Sequence, residues 1–181
     1  MDAYAQCAAT VRERDRDRYL ADLFAPAAAR KHLFALHAFN AEVAAIADRV
    51  TQPNLGEIRL RWWQETIGSG GVGHPVATAL SETIAQFHLP LVAFNRLLEA
   101  RALDLYARPF ATLNDLEGYA GDTSSAPMQL AAIILAGGGN PGTADLAGHA
   151  GVAVAISGLL RAFGFQAARG RSFIPANCRF G

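Results

Sequence analysis

Residues 33–66 constrain the fold most strongly, because they contain two helical stretches separated by a short break. The first stretch, LFALHAFNAEVAAIADRV, has a broad apolar face at helical spacing, which is typical of a central helix in a bundle. The break TQPNLG follows, and the second stretch then begins with GEIRLRWW. We therefore predict an all-α protein organised around a helix from about Ala27 to Arg49.

Helical periodicity covers most of the remaining chain, and no segment alternates apolar and polar residues long enough to predict a strand. A Gly-rich loop is predicted at 68–73. Thr112, with Asp115 three residues later, is a weak match to a capping box and predicts a helix start, and this helix should bend before Pro127. The other predicted helices span residues 2–13, 15–24, 57–67, 74–87, 89–106, 112–136 and 144–168. At this length we expect one domain over residues 1–181, a bundle of seven or eight helices.

Composition and termini bear on localisation and partners. The 16 basic and 16 acidic residues balance, so the sequence predicts no nucleic-acid partner. Cys7 and Cys178 form no disulfide framework, and the N-terminus lacks the pattern of a secretory signal. The uncharged run from Thr123 to Ala144 is interrupted by glycines and prolines, so no transmembrane helix is predicted. We expect a cytoplasmic protein, with peripheral contact at the inner face of a membrane left open.

Three positions on the central helix decide whether the chain binds a metal there. Ala44, Ala45 and Asp48 project to nearly one side, because residues i, i+1 and i+4 share a helical face. Acidic side chains at these positions would form a platform for a divalent cation. Two of the three are alanine.

Several stretches together resemble the squalene/phytoene synthase family over nearly the whole chain. They are residues 33–50, residues 56–65 (GEIRLRWWQE) and residues 149–175, which include ARGRSFIP. The stretch DLEGYAGDTSSAPMQLA resembles the family's helix around its active-site tyrosine, which here is Tyr119. The resemblance implies an isoprenoid synthase-type helical bundle. Complete members continue beyond FIP, so the resemblance also implies a truncated bundle that lacks the C-terminal helices.

Catalytic members of this family condense two allylic prenyl diphosphates head to head. The resemblance implies two Asp-rich motifs that hold Mg²⁺, which in turn binds diphosphate. The first motif, DDxxD, corresponds here to AAIAD at 44–48, and the second, DxxED, corresponds to AFGFQ at 162–166. We therefore expect no metal site and no cofactor, with Mg²⁺ relevant only if the chain is an enzyme. The eroded positions are Ala44, Ala45, Ala162, Phe165 and Gln166.

One branch of the family resembles the chain more closely. Complex I assembly factors of this fold share the AFN-E stretch at 38–42 and GEIRLxWW at 56–63, and their Asp motifs are degenerate. This similarity implies a non-catalytic role with a prenyl lipid or respiratory-chain assembly proteins as partners. The alternative is a head-to-head prenyl diphosphate transferase of isoprenoid biosynthesis. A truncated relic without activity is a third possibility.

The same resemblance implies the candidate site residues. Asp48 and Tyr119 are the candidate catalytic residues, although a surface ion pair and an ordinary buried tyrosine are the alternatives. Arg161, Arg169 and Arg171 are candidates for binding a diphosphate substrate, while the intervening glycine could simply end a helix. The adjacent tryptophans of the GEIRLRWW stretch point about 100° apart on a helix, so at most one can be fully buried.

Overall fold

The computed structural model describes residues 2–71, 73–106, 108–168, 170, 172–175 and 177, and all regular elements in these ranges are helical. This confirms the predicted all-α class. The helices are α1 (Ala3–Arg14), α2 (Arg16–Leu23), α3 (Ala27–Ala44), α4 (Ile46–Arg49), α5 (Pro53–Gly68), α6 (Pro75–Phe87), α7 (Leu91–Ala102), α8 (Leu113–Ala120), α9 (Ala126–Leu135) and α10 (Ala144–Ala167). A 3₁₀ turn (Leu103–Leu105) follows α7, and a π-helical turn (Gly121–Ser125) joins α8 to α9.

Helix α3 lies at the centre of the bundle, as its broad apolar stripe predicts. It packs against α1, α6 and α9, and every residue from His32 to Asn40 is buried. Phe39 is completely buried, with the rings of Trp63 and Phe94 edge-on at 5.2 and 5.7 Å between centroids. A helix that is covered on all sides over this length fixes the position of the residues that follow it.

The central helix and α5 differ from their predicted boundaries, whereas the predicted bend before Pro127 is present. The central helix is interrupted at Ala45, so Asp48 lies on the separate four-residue helix α4. Helix α5 begins at Pro53, four residues before the predicted start, because proline fits the first turn of a helix, where its missing N–H costs no hydrogen bond. The bend predicted before Pro127 is the π-helical turn.

Helix α10 is docked through a close contact with the π-helical turn. The Ser125 hydroxyl donates to the carbonyl oxygen of Gly148 at 2.8 Å. A Cβ on Gly151 would lie 2.3 Å from the Cα of Ser125, so only glycine allows the two backbones this approach. A second hydrophobic cluster, separate from the core around α3, contains Leu116 and Tyr119 and packs against α10.

The outer faces of α10 carry large exposed side chains, including Leu146 at 69%, Leu160 at 65% and Phe165 at 55% exposure. Within the described ranges, α10 is the one helix long and apolar enough to cross a membrane: it has 24 residues, and 11% of its apolar window is buried. This criterion rests on length and composition alone, and the sequence prediction, which considered the interrupted run before α10, did not single out this helix.

Candidate functional site

A cavity of about 210 Å³ lies between α2, α3, the π-helical turn and α10, and we call it the central cavity. Its walls are mostly polar toward α3 and α8 and mostly apolar along α10. The lining residues are Arg18, Asn40, Arg101, Tyr119, Thr123, Ser124, Val154, Ala155, Gly158 and Leu159.

Two of its side chains, Arg101 and Tyr119, form a largely buried charged network with Asp104 near the ends of α7 and α8. Arg101 donates through one Nη1 atom to the Tyr119 hydroxyl at 2.8 Å and to Asp104 Oδ2 at 3.2 Å. The Tyr119 hydroxyl in turn donates to Asp104 Oδ1 at 2.8 Å. The three groups therefore hold one another in place. The hydrogen bonds of Tyr119 are those of an ordinary buried tyrosine.

The network shifts the ionisation of its members. Burial raises the pKa of Tyr119, and the carboxylate of Asp104 raises it further against the opposing effect of Arg101. Burial alone would lower the pKa of Arg101, but its interactions with the Tyr119 hydroxyl and the Asp104 carboxylate outweigh burial, so that pKa is raised. Tyr119 stays a neutral phenol and Arg101 a cation at physiological pH, so neither group is prepared to exchange a proton.

Local sequence explains how Tyr119 reaches the cavity. Thr112 and Asp115 form a reciprocal capping box at the start of α8: Asp115 N–H donates to the Thr112 hydroxyl at 3.2 Å, and Thr112 N–H donates to Asp115 Oδ2 at 2.9 Å. From this start, Leu116 and Tyr119 share the buried face of α8. The Phe110 ring lies 5.2 Å from the Tyr119 ring and fixes its orientation. The predicted capping signal at Thr112 is thus confirmed.

Other cavity groups retain hydrogen-bonding capacity. Among the described residues, Asn40 Oδ1 and Arg101 Nε are buried without a hydrogen-bond partner. Arg18 is engaged with Asp15, to which its Nη1 donates at 2.8 Å. Buried polar atoms of this kind are normally satisfied, so the cavity suits a ligand with both a donor and an acceptor.

The sequence matches the family model for squalene/phytoene synthase over residues 11–178. The chain belongs to this family. The match spans both helical stretches first recognised in the sequence, as well as α8 to α10.

Curated relatives in this family divide into two kinds. The chain is 33% identical over 178 residues to "NADH dehydrogenase (ubiquinone) complex I, assembly factor 6" of Bos taurus, and 30% identical over 178 residues to the same protein of Homo sapiens. Each match covers 93% of this chain and 52% of the relative. "Phytoene synthase" of Arthrospira platensis is 22% identical over 190 residues, covering 96% of this chain and 61% of that protein. The chain thus spans about half the length of the assembly factors.

Solved structures confirm the isoprenoid synthase-type bundle. A dehydrosqualene synthase, crystallised in complex with a ligand, superimposes with a TM-score of 0.82 at 21% identity and covers 97% of this chain and 62% of that chain. At this identity, the likeness establishes the fold alone.

The metal positions of the squalene/phytoene synthase family lie one helical turn beyond the central cavity. Ala44 follows Asn40 by four residues on α3, and Ala162 follows Gly158 by four on α10, but neither lines the cavity. Alanine and phenylalanine at four of the five eroded positions offer no oxygen to Mg²⁺, which requires hard oxygen ligands. Within the described ranges, no group of three or more His, Cys, Asp or Glu side chains could hold a metal ion. The residues present therefore do not fit the metal that the family implies.

The other candidate residues are dispersed. Asp48 is exposed on α4, and Arg161 is exposed on α10; neither lines the central cavity. Gln166 borders a separate cavity of about 30 Å³ beside Phe163. Arg169 and Arg171 lie outside the described residues, so their roles stay predictions. Of the candidates within the described ranges, Tyr119 alone reaches the central cavity.

Sequence reasoning missed the residues that surround Tyr119. The spacing of Arg101 and Asp104, three residues apart in a helical stretch, was an available signal for an ion pair. Asn40 belongs to the AFN stretch that carried the resemblance, but its polar side chain in a buried helix was not singled out. Arg18 had no distinguishing signal, because arginines are frequent throughout the N-terminal region.

Proposed function

We propose that this chain is a non-catalytic member of its family that acts in the assembly of a respiratory-chain complex. The observation that carries the proposal is the pair of stretches that match the family's metal motifs, 44–48 at the end of α3 and on α4 and 162–166 on α10, where only Asp48 keeps a carboxylate. The names of the relatives at 30% and 33% identity support it.

Prenyl transfer requires that a departing diphosphate be neutralised. In this fold a metal cluster supplies that stabilisation, and preorganised cations near the leaving group are usually its largest component. The arginines of the central cavity do not replace the metal, because Arg101 is paired with Asp104 and Arg18 with Asp15. We therefore propose that the chain works without Mg²⁺ or another cofactor.

The central cavity is proposed as a binding site instead of a reaction site. Val154 and Leu159 line the cavity together with Asn40 and Arg101, whose unpartnered atoms suit the polar end of a prenyl lipid. Protein partners would be assembly proteins of the respiratory chain. We place the protein in the cytoplasm, in peripheral contact with the inner face of a membrane.

Catalysis is tested by incubating the purified protein with farnesyl or geranylgeranyl diphosphate and Mg²⁺ and measuring released diphosphate. No release above the background without protein is expected. The alternative, a head-to-head prenyl diphosphate transferase, is favoured by the phytoene synthase match and by Tyr119 at the cavity wall. Steady turnover that Asp48→Asn abolishes would establish that alternative and refute the non-catalytic role.

Assembly is tested by affinity capture of the tagged protein from its own cells, followed by mass spectrometry of proteins and lipids. Subunits of the respiratory complex I are expected, and a tagged phytoene synthase of the same fold serves as the matched bait. Recovery of neither these subunits nor a prenyl lipid would contradict the proposal and favour the relic without activity.

A further inference from the structure

A second pocket, of about 310 Å³, is formed by the end of α3, α4, α5 and the segment before α6. We call it the α5 pocket. Among the described residues it shares no lining side chain with the central cavity. Its lining residues are Glu42, Ile46, Arg49, Ile58, Arg59, Trp62, Trp63 and His74.

Large apolar side chains form both the floor and the rim of the α5 pocket. Trp63 and Ile46 form the floor, at 4% and 5% exposure, whereas Trp62 and Ile58 stand at the rim with 40% and 61% exposed. Together with Leu55, which is 44% exposed, these two rim residues form a stripe at positions i, i+3 and i+7 of α5. The tryptophan prediction is confirmed, since one ring is buried and its neighbour is at the surface.

Polar groups meet the same pocket. Arg49 and Arg59 are both exposed, and within the described ranges neither forms a salt bridge. His74 Nδ1 is buried without a hydrogen-bond partner in the same part of the chain, while its Nε2 lies 3.7 Å from Glu42 Oε2. Two guanidinium groups face one carboxylate, so the pocket has a positive balance although the whole chain is neutral.

We propose that the α5 pocket binds a lipid with a phosphate-bearing anionic headgroup at a bilayer surface. Arg49 and Arg59 contact the phosphate. Ile58 and Trp62 enter the boundary between headgroups and acyl chains. An exposed arginine and a half-exposed tryptophan on one helix, Arg59 and Trp62 of α5, are typical of helices that lie in a membrane interface, and Arg49 adds a second positive charge from α4. Charge complementarity therefore selects an anionic lipid over a neutral one.

The chain supplies its own reporter, because its two tryptophans are Trp62 and Trp63, both in this pocket. Tryptophan emission is measured as phosphatidylcholine vesicles, or vesicles with 30% phosphatidylglycerol, are added to the full chain. A blue shift, with quenching by acyl chains brominated near the headgroup, is expected only with the anionic vesicles. Emission that does not change with either vesicle would overturn the proposal.

Matched variants on one helix separate the pocket from general charge attraction. Arg59→Gln and Arg61→Gln each remove one exposed positive charge from α5, but only Arg59 lines the pocket. Arg59→Gln should weaken binding to anionic vesicles about fivefold, corresponding to about 1 kcal/mol for one interfacial arginine. Arg61→Gln should weaken it less than twofold. Equal losses would refute a specific site, and circular dichroism verifies that both variants are folded.

Soluble ligands distinguish the source of the phosphate. Inorganic phosphate and monomeric dihexanoyl phosphatidylglycerol are titrated separately, and neither should approach the affinity of the anionic vesicles. Saturable binding of inorganic phosphate, with no vesicle binding, would assign the pocket to a soluble phosphate and overturn the proposal. The inference rests on the peripheral membrane contact proposed above and not on the assembly role. A failure to bind vesicles would therefore overturn this inference without contradicting the assembly role, which the capture of complex I subunits tests separately.

Discussion

The Tyr119 hydroxyl donates a 2.8 Å hydrogen bond to Asp104 Oδ1 across 15 residues of sequence. Both residues are less than 10% exposed. This bond joins the 3₁₀ turn after α7 to the middle of the second hydrophobic cluster, and Arg101 completes it from α7. Tyr119, which resembles the family's active-site tyrosine, thus links α8 to Arg101 and Asp104 in this chain.

Removal of Asp104 should destabilise the protein more than removal of the Tyr119 hydroxyl. Asp104→Ala leaves the buried Arg101 without its carboxylate, and a loss of about 3–5 kcal/mol is expected. Tyr119→Phe keeps the ion pair and deletes one hydroxyl, which should cost about 1–3 kcal/mol. Urea denaturation followed by circular dichroism measures both. Comparable losses of unfolding free energy in the two variants would contradict the idea that the charge of Arg101 requires the Asp104 carboxylate.

Gly151→Ala should loosen the docking of α10. Its new methyl group would collide with the Ser125 backbone, and relief of that overlap should cost about 1–3 kcal/mol. Gly164→Ala is the matched control on the same helix, because a Cβ there meets nothing within 4 Å. The control should be neutral or stabilising by up to about 1 kcal/mol, since alanine favours helix over glycine. Equal melting temperatures for the two variants would contradict the close contact.

The sequence predicted those parts of the fold that depend on local patterns. The apolar stripe of α3 and the capping box at Thr112 are encoded within a few residues, and both were identified correctly. The start of α5 was misplaced because TQPNLG was read as a break, although Pro53 is compatible with a first helical turn. The interruption of the central helix at Ala45 was not predicted, because no glycine or proline marks it in the sequence.

The central cavity was harder to predict, because it depends on tertiary contacts. The resemblance identified Tyr119, but its partner Asp104 is 15 residues away in another element, and no spacing rule joins them. The α5 pocket likewise joins Arg49, Arg59 and His74 from three separate elements. The sequence did not predict which residues of α10 are exposed. Apolar residues occupy all faces of this helix, so the pattern does not indicate which face is buried.

Phe39→Ala should remove the largest single contribution to the core around α3. The ring is fully buried between Trp63 and Phe94, so a cavity would remain, at an expected cost of about 3–5 kcal/mol. Phe24→Ala is the control: that ring is 91% exposed, and its removal should change stability by less than about 0.5 kcal/mol. Chemical denaturation of the two variants measures the difference, and a loss below about 1 kcal/mol for Phe39→Ala would contradict its central position.

Glu42→Gln should stabilise the protein increasingly as the pH rises. Burial raises the pKa of Glu42 above its ordinary value near 4.5, although His74, Arg14 and Arg49 oppose the shift. A carboxyl whose pKa is higher in the folded than in the unfolded state loses stability as the pH rises through the folded pKa. Below the unfolded pKa both states are protonated, and the variant and the parent protein should differ little.

The measurement is the free energy of unfolding of both proteins between pH 4 and pH 8. The advantage of Glu42→Gln should grow across this range, because the buried carboxyl of Glu42 ionises as the pH rises. An advantage of Glu42→Gln that shrinks toward high pH would mean that the attraction of His74 and the two arginines outweighs the cost of burying the carboxylate.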